Sequence, residues 1–141
     1  MTYTKEQAWE LCLLALCAWR EARSQGFQGM LGVCWSVRNR VNNPNWWGKD
    51  WEEVVEKKWQ YSSFNPDDPN TKLLPGDPAK DQAWADALMA AEQAYAARGV
   101  DPTQGATHYY STSMKTPPTW ATAKDTVFKV QIGDHRFYRA S

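Results

Sequence analysis

The chain has 141 residues, 43% of them hydrophobic, with 16 basic and 16 acidic residues and no net formal charge. That length suits one domain with a sizeable core, and the even balance argues against a protein held to nucleic acid by its phosphates, which calls for a basic excess. Nine tryptophans, six tyrosines and four phenylalanines are a heavy aromatic load; most should fill the core, but Trp46, Trp47, Trp51, Trp59 and Trp120 stand in polar company, where exposed flat rings suit stacking on sugar faces.

Thr4 followed three residues later by Gln7 is a capping-box pattern that opens a first helix, running to about Arg23 and stopping before Gly26. Leu11 to Trp19 is apolar without a break. A membrane span needs roughly 20 such residues, and Thr4-Lys5-Glu6-Gln7 is not a signal-peptide start. The expectation is a helix surrounded by protein, with no export signal. A second helix covers about Gln28 to Val41, with Met30, Val33, Cys34, Val37 and Val41 on one face, and Gly29 and Gly32 permitting close packing. Asn42-Asn43-Pro44 ends it.

Asp50 caps a short helix to about Lys58. Residues 60–76 are polar and proline-rich, hence loop. Asp77 then caps a helix with Pro78 at its first position, running to about Arg98 and burying Trp84, Ala87, Leu88, Ala91, Ala94 and Tyr95. After Gly105 the chain turns β-prone: Thr107 to Ser111, then Thr126 to Val130 and His135 to Tyr138 as a hairpin around Ile132-Gly133-Asp134. The fold class is α+β, a mainly helical single domain over 1–141 with a small C-terminal antiparallel sheet.

Cys12, Cys17 and Cys34 form no disulfide framework and read as small buried thiols of a chain folded in a reducing compartment. Cys34 on an apolar face is a poor nucleophile. His108 and His135 lie apart with no HExxH or CxxC pattern, so no metal site is expected and both read as hydrogen-bonded structural histidines. Phosphate loops and nucleophile elbows are absent from the sequence.

Among the carboxylates, Glu21 stands out. It follows the apolar run and shares a helical stripe with Leu14, Cys17 and Ala18, while Arg20 and Arg23 point elsewhere on the wheel. A carboxyl group among apolar neighbours holds its proton more tightly, as a general acid must. A salt bridge from Arg23 is the structural alternative, and on these residues alone it ranks first. Gln60 to Asn65 and Thr107 to Ser111 mix hydroxyls, amides and rings, as sugar grooves do.

Taken in order, Glu21-Ala22-Arg23, Val37-Arg38-Asn39-Arg40-Val41, Gln60-Tyr61-Ser62-Ser63-Phe64, Asp101-Pro102-Thr103, Gly105-Ala106-Thr107-His108-Tyr109-Tyr110, Trp120 and Ile132-Gly133-Asp134-His135-Arg136-Phe137-Tyr138 resemble the SleB-like cell-wall hydrolases. These include the catalytic domain of spore-cortex-lytic enzymes, and related domains occur in phage lysins. The resemblance spans about Leu14 to Tyr138. It implies a lysozyme-like domain acting on peptidoglycan glycan strands, with Glu21 as catalytic acid and Gln60, Tyr61, Ser63, His108, Tyr109, Tyr110 and Trp120 lining the groove. It also moves catalysis ahead of the salt bridge for Glu21. Ser24-Gln25 stands where the family often has Gly-Glu, and Tyr61 where it usually has Phe.

One carboxylate suffices if the muramoyl 6-hydroxyl serves as nucleophile, as in a lytic transglycosylase; Asp50, Glu52, Glu53 or Glu56 folding into the groove would instead make a hydrolase. The resemblance thus implies cleavage between N-acetylmuramic acid and N-acetylglucosamine, without cofactor, nucleic acid or membrane, by a monomer. A phage endolysin is the expected setting, held in the host cytoplasm until the membrane is breached. The competing classes are a cysteine- or zinc-dependent amidase or peptidase, and a non-catalytic glycan-binding module.

Overall fold

A computed structural model describes residues 2–57 and 60–140. Four helices and three strands follow in the order α1 (Lys5–Ala22), α2 (Gly26–Asn42), α3 (Trp51–Glu56), α4 (Gln82–Tyr95), β1 (His108–Ser111), β2 (Val127–Ile132) and β3 (His135–Arg139). The architecture is α+β and mainly helical, as the sequence predicts. Lys58, the expected end of the third helix, and Trp59 lie outside the described residues.

The capping box at α1 is complete: Gln7 N–H donates to Thr4 Oγ1 at 3.1 Å and Thr4 N–H to Gln7 Oε1 at 2.9 Å. The helix is buried from Leu13 to Arg20 except at Leu16, which is only partly covered. It packs on α2 and α4, and its final turn tightens into a 3₁₀ turn, Arg23–Gln25. Gly26, at φ 74°, then redirects the chain into α2, a left-handed conformation that favours glycine. Gln25 locks this corner to the β2–β3 turn: its Oε1 accepts from Asp134 N–H at 2.9 Å, and its Nε2 donates to the Asp134 carboxylate at 3.3 Å.

The fourth helix starts later than expected. Asp77 caps only a turn, with Ala79 N–H on its carboxylate, whereas Asp81 accepts from Trp84 N–H at 3.0 Å and is the true N-cap. The helix ends at Tyr95, and Ala97 enters the left-handed region at φ 54°. The small side chains Ala87, Ala90, Ala91 and Ala94 let it lie close against α1 and α2, while Trp84, Leu88 and Tyr95 are only partly buried.

The sheet has the order β1-β3-β2, both pairings antiparallel, with Gly133 at φ 56° in the hairpin turn and a bulge between Phe128 and Val130. Ile132 belongs to the strand rather than to the turn. Strand β3 turns His135 and Phe137 inward on one face. Phe137 is sealed, and a Cβ on Gly32 would sit 2.8 Å from its Cζ. Gly32 is therefore what brings the sheet down onto α2.

Candidate active site

The end of α1 is fastened to the 60–76 loop by the two arginines that flank Glu21. Arg20 is buried over the Phe64 ring and donates to the Leu73 carbonyl at 3.1 Å and the Thr71 carbonyl at 2.9 Å. Arg23 lies over Trp19 and donates to Asn70 Oδ1 at 2.9 Å. The salt bridge that the residues alone favour, before the resemblance is weighed, does not form: Arg23 is spent on the loop. Residues 60–76 are held as two short 3₁₀ turns, Ser62–Phe64 and Pro69–Lys72.

This fastening presents Glu21 to two donors. Ser63 N–H reaches Glu21 Oε2 at 2.8 Å and the Tyr109 hydroxyl reaches Oε1 at 2.6 Å. One bond to each oxygen fixes the plane of the group and leaves each oxygen a further lone pair. Burial, with the Glu21 charge beside it, pushes the Tyr109 phenol well above its ordinary range, so Tyr109 is a permanent donor. Its ring is backed by Phe137 at 5.4 Å and His135 at 4.8 Å.

Glu21 opens onto a hollow of about 370 Å³, lined also by Gln60, Ser62, Tyr109, Tyr110, Ser111, Met114, Pro118, Trp120 and His135. A second hollow, about 230 Å³, shares Gln60, Tyr109 and Trp120 with it and adds Arg40, Trp46, Tyr61 and His108. The two form one run of surface, with Trp120 between His108 at 5.0 Å and Tyr110 at 6.0 Å.

Every candidate groove residue lies at one of these two hollows or against Glu21, but in different capacities. Gln60, Tyr109, Tyr110 and Trp120 face the open space. Ser63 acts through its backbone and is itself sealed, its hydroxyl without a partner. Tyr61 is wall rather than floor: it is 1% exposed, its hydroxyl sits 2.9 Å from Ser36 Oγ, and burial pushes its phenol up to about 12. His108 packs among Trp46, Trp47 and Trp120, with Nδ1 2.9 Å from Thr107 Oγ1.

Some expectations fail. Trp47 is 2% exposed, its indole donating to the Arg40 carbonyl at 3.0 Å, and Trp51 is half-buried 4.8 Å from the Tyr95 ring. Neither is an exposed stacking surface; of that group Trp46 and Trp120 reach the hollows, and Trp59 lies outside the described residues. Cys12 is exposed rather than buried, on the outer side of α1. Cys17 and Cys34 are sealed, and burial pushes both thiols well up, so neither is a ready nucleophile. His135 is not the hydrogen-bonded structural histidine expected, since its buried Nδ1 has no partner. No group of three potential metal ligands occurs among the described residues. No described helix is long and apolar enough to cross a membrane.

Sequence reasoning missed Arg40 and His135 as site residues. Inward alternation along β3 carries the signal for His135, which shares a face with Phe137. Asp50, Glu52, Glu53 and Glu56, the candidate second carboxylates, line a neighbouring hollow beyond Trp46. Three of them are engaged there: Asp50 accepts from Glu53 N–H, Glu53 from Lys49 N–H, and Glu52 from the Trp9 indole.

A model of the cell wall hydrolase family matches residues 24–138. The chain belongs to the cell wall hydrolase family. Membership makes peptidoglycan the substrate class of this hydrolase. Comparison with curated proteins and with solved structures found no match. The family match starts at Ser24, just past Glu21, so the role of that glutamate rests on the geometry around it.

Two predictions arise here. Tyr109→Phe removes a hydrogen bond to a charged group, worth about 1.5–3 kcal/mol. It should lower turnover roughly 10- to 100-fold with the fold retained, as read from initial rates on purified cell wall alongside circular dichroism. The second concerns pH. Burial, with the Arg40 charge nearby, holds folded His108 down at about 4, and burial lowers His135 too. Unfolded histidine takes up its proton near pH ~6.5. The unfolded chain therefore binds more protons between these values, and the stability from neutral His108 is fully present above about pH 6.5 and lost as pH falls towards 4. Urea unfolding across that window should show the decline, and His108→Gln should make it shallower, leaving the part that His135 supplies.

Proposed function

We propose that this hydrolase is a glycosidase that cleaves the β-1,4 bond between N-acetylmuramic acid and N-acetylglucosamine, with Glu21 as its acid and base. One observation carries the reading. Glu21 is held by Ser63 N–H and Tyr109 O–H at the floor of a ring-lined hollow, and it is the one carboxylate among that hollow's described lining residues. Glycosidases that use water place a second carboxyl about 5–9.5 Å from the first; here the nearby acidic residues line a different hollow. A nucleophile within the sugar removes the need for one.

The steps balance on that single residue. Protonated Glu21 gives its proton to the glycosidic oxygen as the C1–O4 bond breaks, releasing the N-acetylglucosamine 4-hydroxyl. The carboxylate left behind keeps its two donors, which stabilise it without rearrangement. It then takes the proton of the muramoyl 6-hydroxyl as O6 bonds to C1, closing a 1,6-anhydro ring and restoring the acid. Water is neither consumed nor produced. Tyr110, Trp120 and Gln60 supply ring faces and an amide for the sugars on either side, and the protein works as a monomer of one domain.

This is the action of a lytic transglycosylase, suited to a phage endolysin that meets the wall after the membrane is breached. Mass spectrometry of digested peptidoglycan tests it. Anhydromuramoyl ends are expected; reducing muramic ends would mean a hydrolytic muramidase, and freed stem peptides an amidase.

A further inference from the structure

Arg40 carries a charge with no acidic partner among the described residues. It sits on the last turn of α2, is 4% exposed, and lies between the Trp47 and Tyr61 rings at 5.4 and 5.2 Å. Its Nε donates to the Thr107 carbonyl at 2.6 Å and its Nη1 to Gln60 Oε1 at 3.2 Å. Both acceptors are neutral, and the single ion pair among the described residues is Arg98–Glu92, elsewhere. A buried cation without a counter-charge is costly. The guanidinium has five donor hydrogens, and the Nη2 amino group has no partner among the described residues. Arg40 lines the hollow beside the Glu21 hollow, and Nη2 holds the donors that it has not already spent. His108 lines the same hollow as an uncharged ring.

We infer that this second hollow is an anion-recognition subsite, in which Arg40 Nη2 binds a carboxylate carried by the muramoyl unit while Trp46 and Trp120 flank the sugar. This deepens the glycosidase reading and rests on it. N-acetylglucosamine is neutral, so of the two alternating sugars only the muramoyl unit brings a carboxylate, on its lactyl ether or on the peptide attached there. Gln60 and Trp120 belong to both hollows, so a muramoyl unit anchored at Arg40 is fixed in register with Glu21. The strand is then cut at one of its two kinds of linkage, a choice that Glu21 alone does not make. Arg40 is a specificity residue; it donates no proton in the reaction.

Binding to the wild-type protein, followed by tryptophan fluorescence, tests this without cleavage. The probes are N-acetylmuramic acid, its methyl ester, muramyl dipeptide and N-acetylglucosamine. A charge-assisted hydrogen bond predicts that the probe carrying the recognised carboxylate binds roughly 10-fold or more tighter than the methyl ester. If the lactyl carboxylate is the ligand, the free acid binds best; if the peptide carboxylate is, muramyl dipeptide does. Equal affinity for all four probes overturns the subsite. Arg40→Gln should abolish the preference for the acid, and because the acid–ester comparison needs no mutation, the test survives a variant that misfolds. Failure here leaves Glu21 untouched, whereas digestion that frees stem peptides and cuts no glycan bond would remove the glycosidase reading with anion binding intact.

Discussion

Glu21→Gln should leave a folded protein that cuts peptidoglycan at least about 1,000-fold more slowly, since general acid–base catalysis contributes roughly 10²–10⁴-fold and one residue here serves both steps. The amide matches the carboxylate in shape and keeps an oxygen for one of the two donors, Ser63 N–H or the Tyr109 hydroxyl. Its NH₂ then faces the other. If that is Tyr109, the phenol turns its hydrogen away and accepts. The stability cost should be about 1–2 kcal/mol, that of one compromised hydrogen bond. Soluble fragments released from purified wall and a thermal melt give the two readings together. A mutant retaining a tenth of normal turnover would remove Glu21 from the chemistry.

Phe137→Ala should be the most destabilising single truncation near the site. The ring is fully buried on the central strand, fills the gap that Gly32 leaves on α2, and backs Tyr109 at 5.4 Å. Emptying such a site costs about 3–5 kcal/mol, and no nearby backbone is free to collapse into it because the sheet is pinned through Gln25 and Asp134. For a chain of this size the melting temperature should drop by roughly 10–20 °C. Activity should also fall in the cold, because the Tyr109 ring loses its support and with it the 2.6 Å bond to Glu21. Calorimetry on the variant decides the matter; a loss under about 1 kcal/mol would mean that the sheet is not anchored through this ring.

Local chemistry was the legible part of this chain. Thr4 with Gln7, and Asp50 with Glu53, mark helix starts because the caps are satisfied within three residues. The hairpin was legible from its β-prone runs around Gly133. Asp77 misled for a local reason as well: an aspartate before a proline caps a turn as readily as a helix, and Asp81, a few residues on, offers the same cap to a sequence richer in alanine.

The site was legible only in outline. The apolar stripe singles out Glu21, but what Arg23 does depends on Asn70, brought to it by a loop whose path no periodicity encodes. Trp47 and Trp51 have polar neighbours in sequence and apolar ones in space, supplied by other elements. Arg40 reads as an ordinary charge at a helix end until Thr107 and Gln60 are found on either side of it. Long-range partners set the function of each, and those are fixed by packing rather than by adjacent residues.

In the proposed reaction Glu21 closes the muramoyl ring on itself without water. Digesting purified peptidoglycan in ¹⁸O-labelled water and weighing the new muramoyl ends tests it directly. Ends that carry no label and are lighter by one water than a reducing end are the predicted result. Labelled reducing ends would contradict it, and would require a second group to activate water across the groove from Glu21.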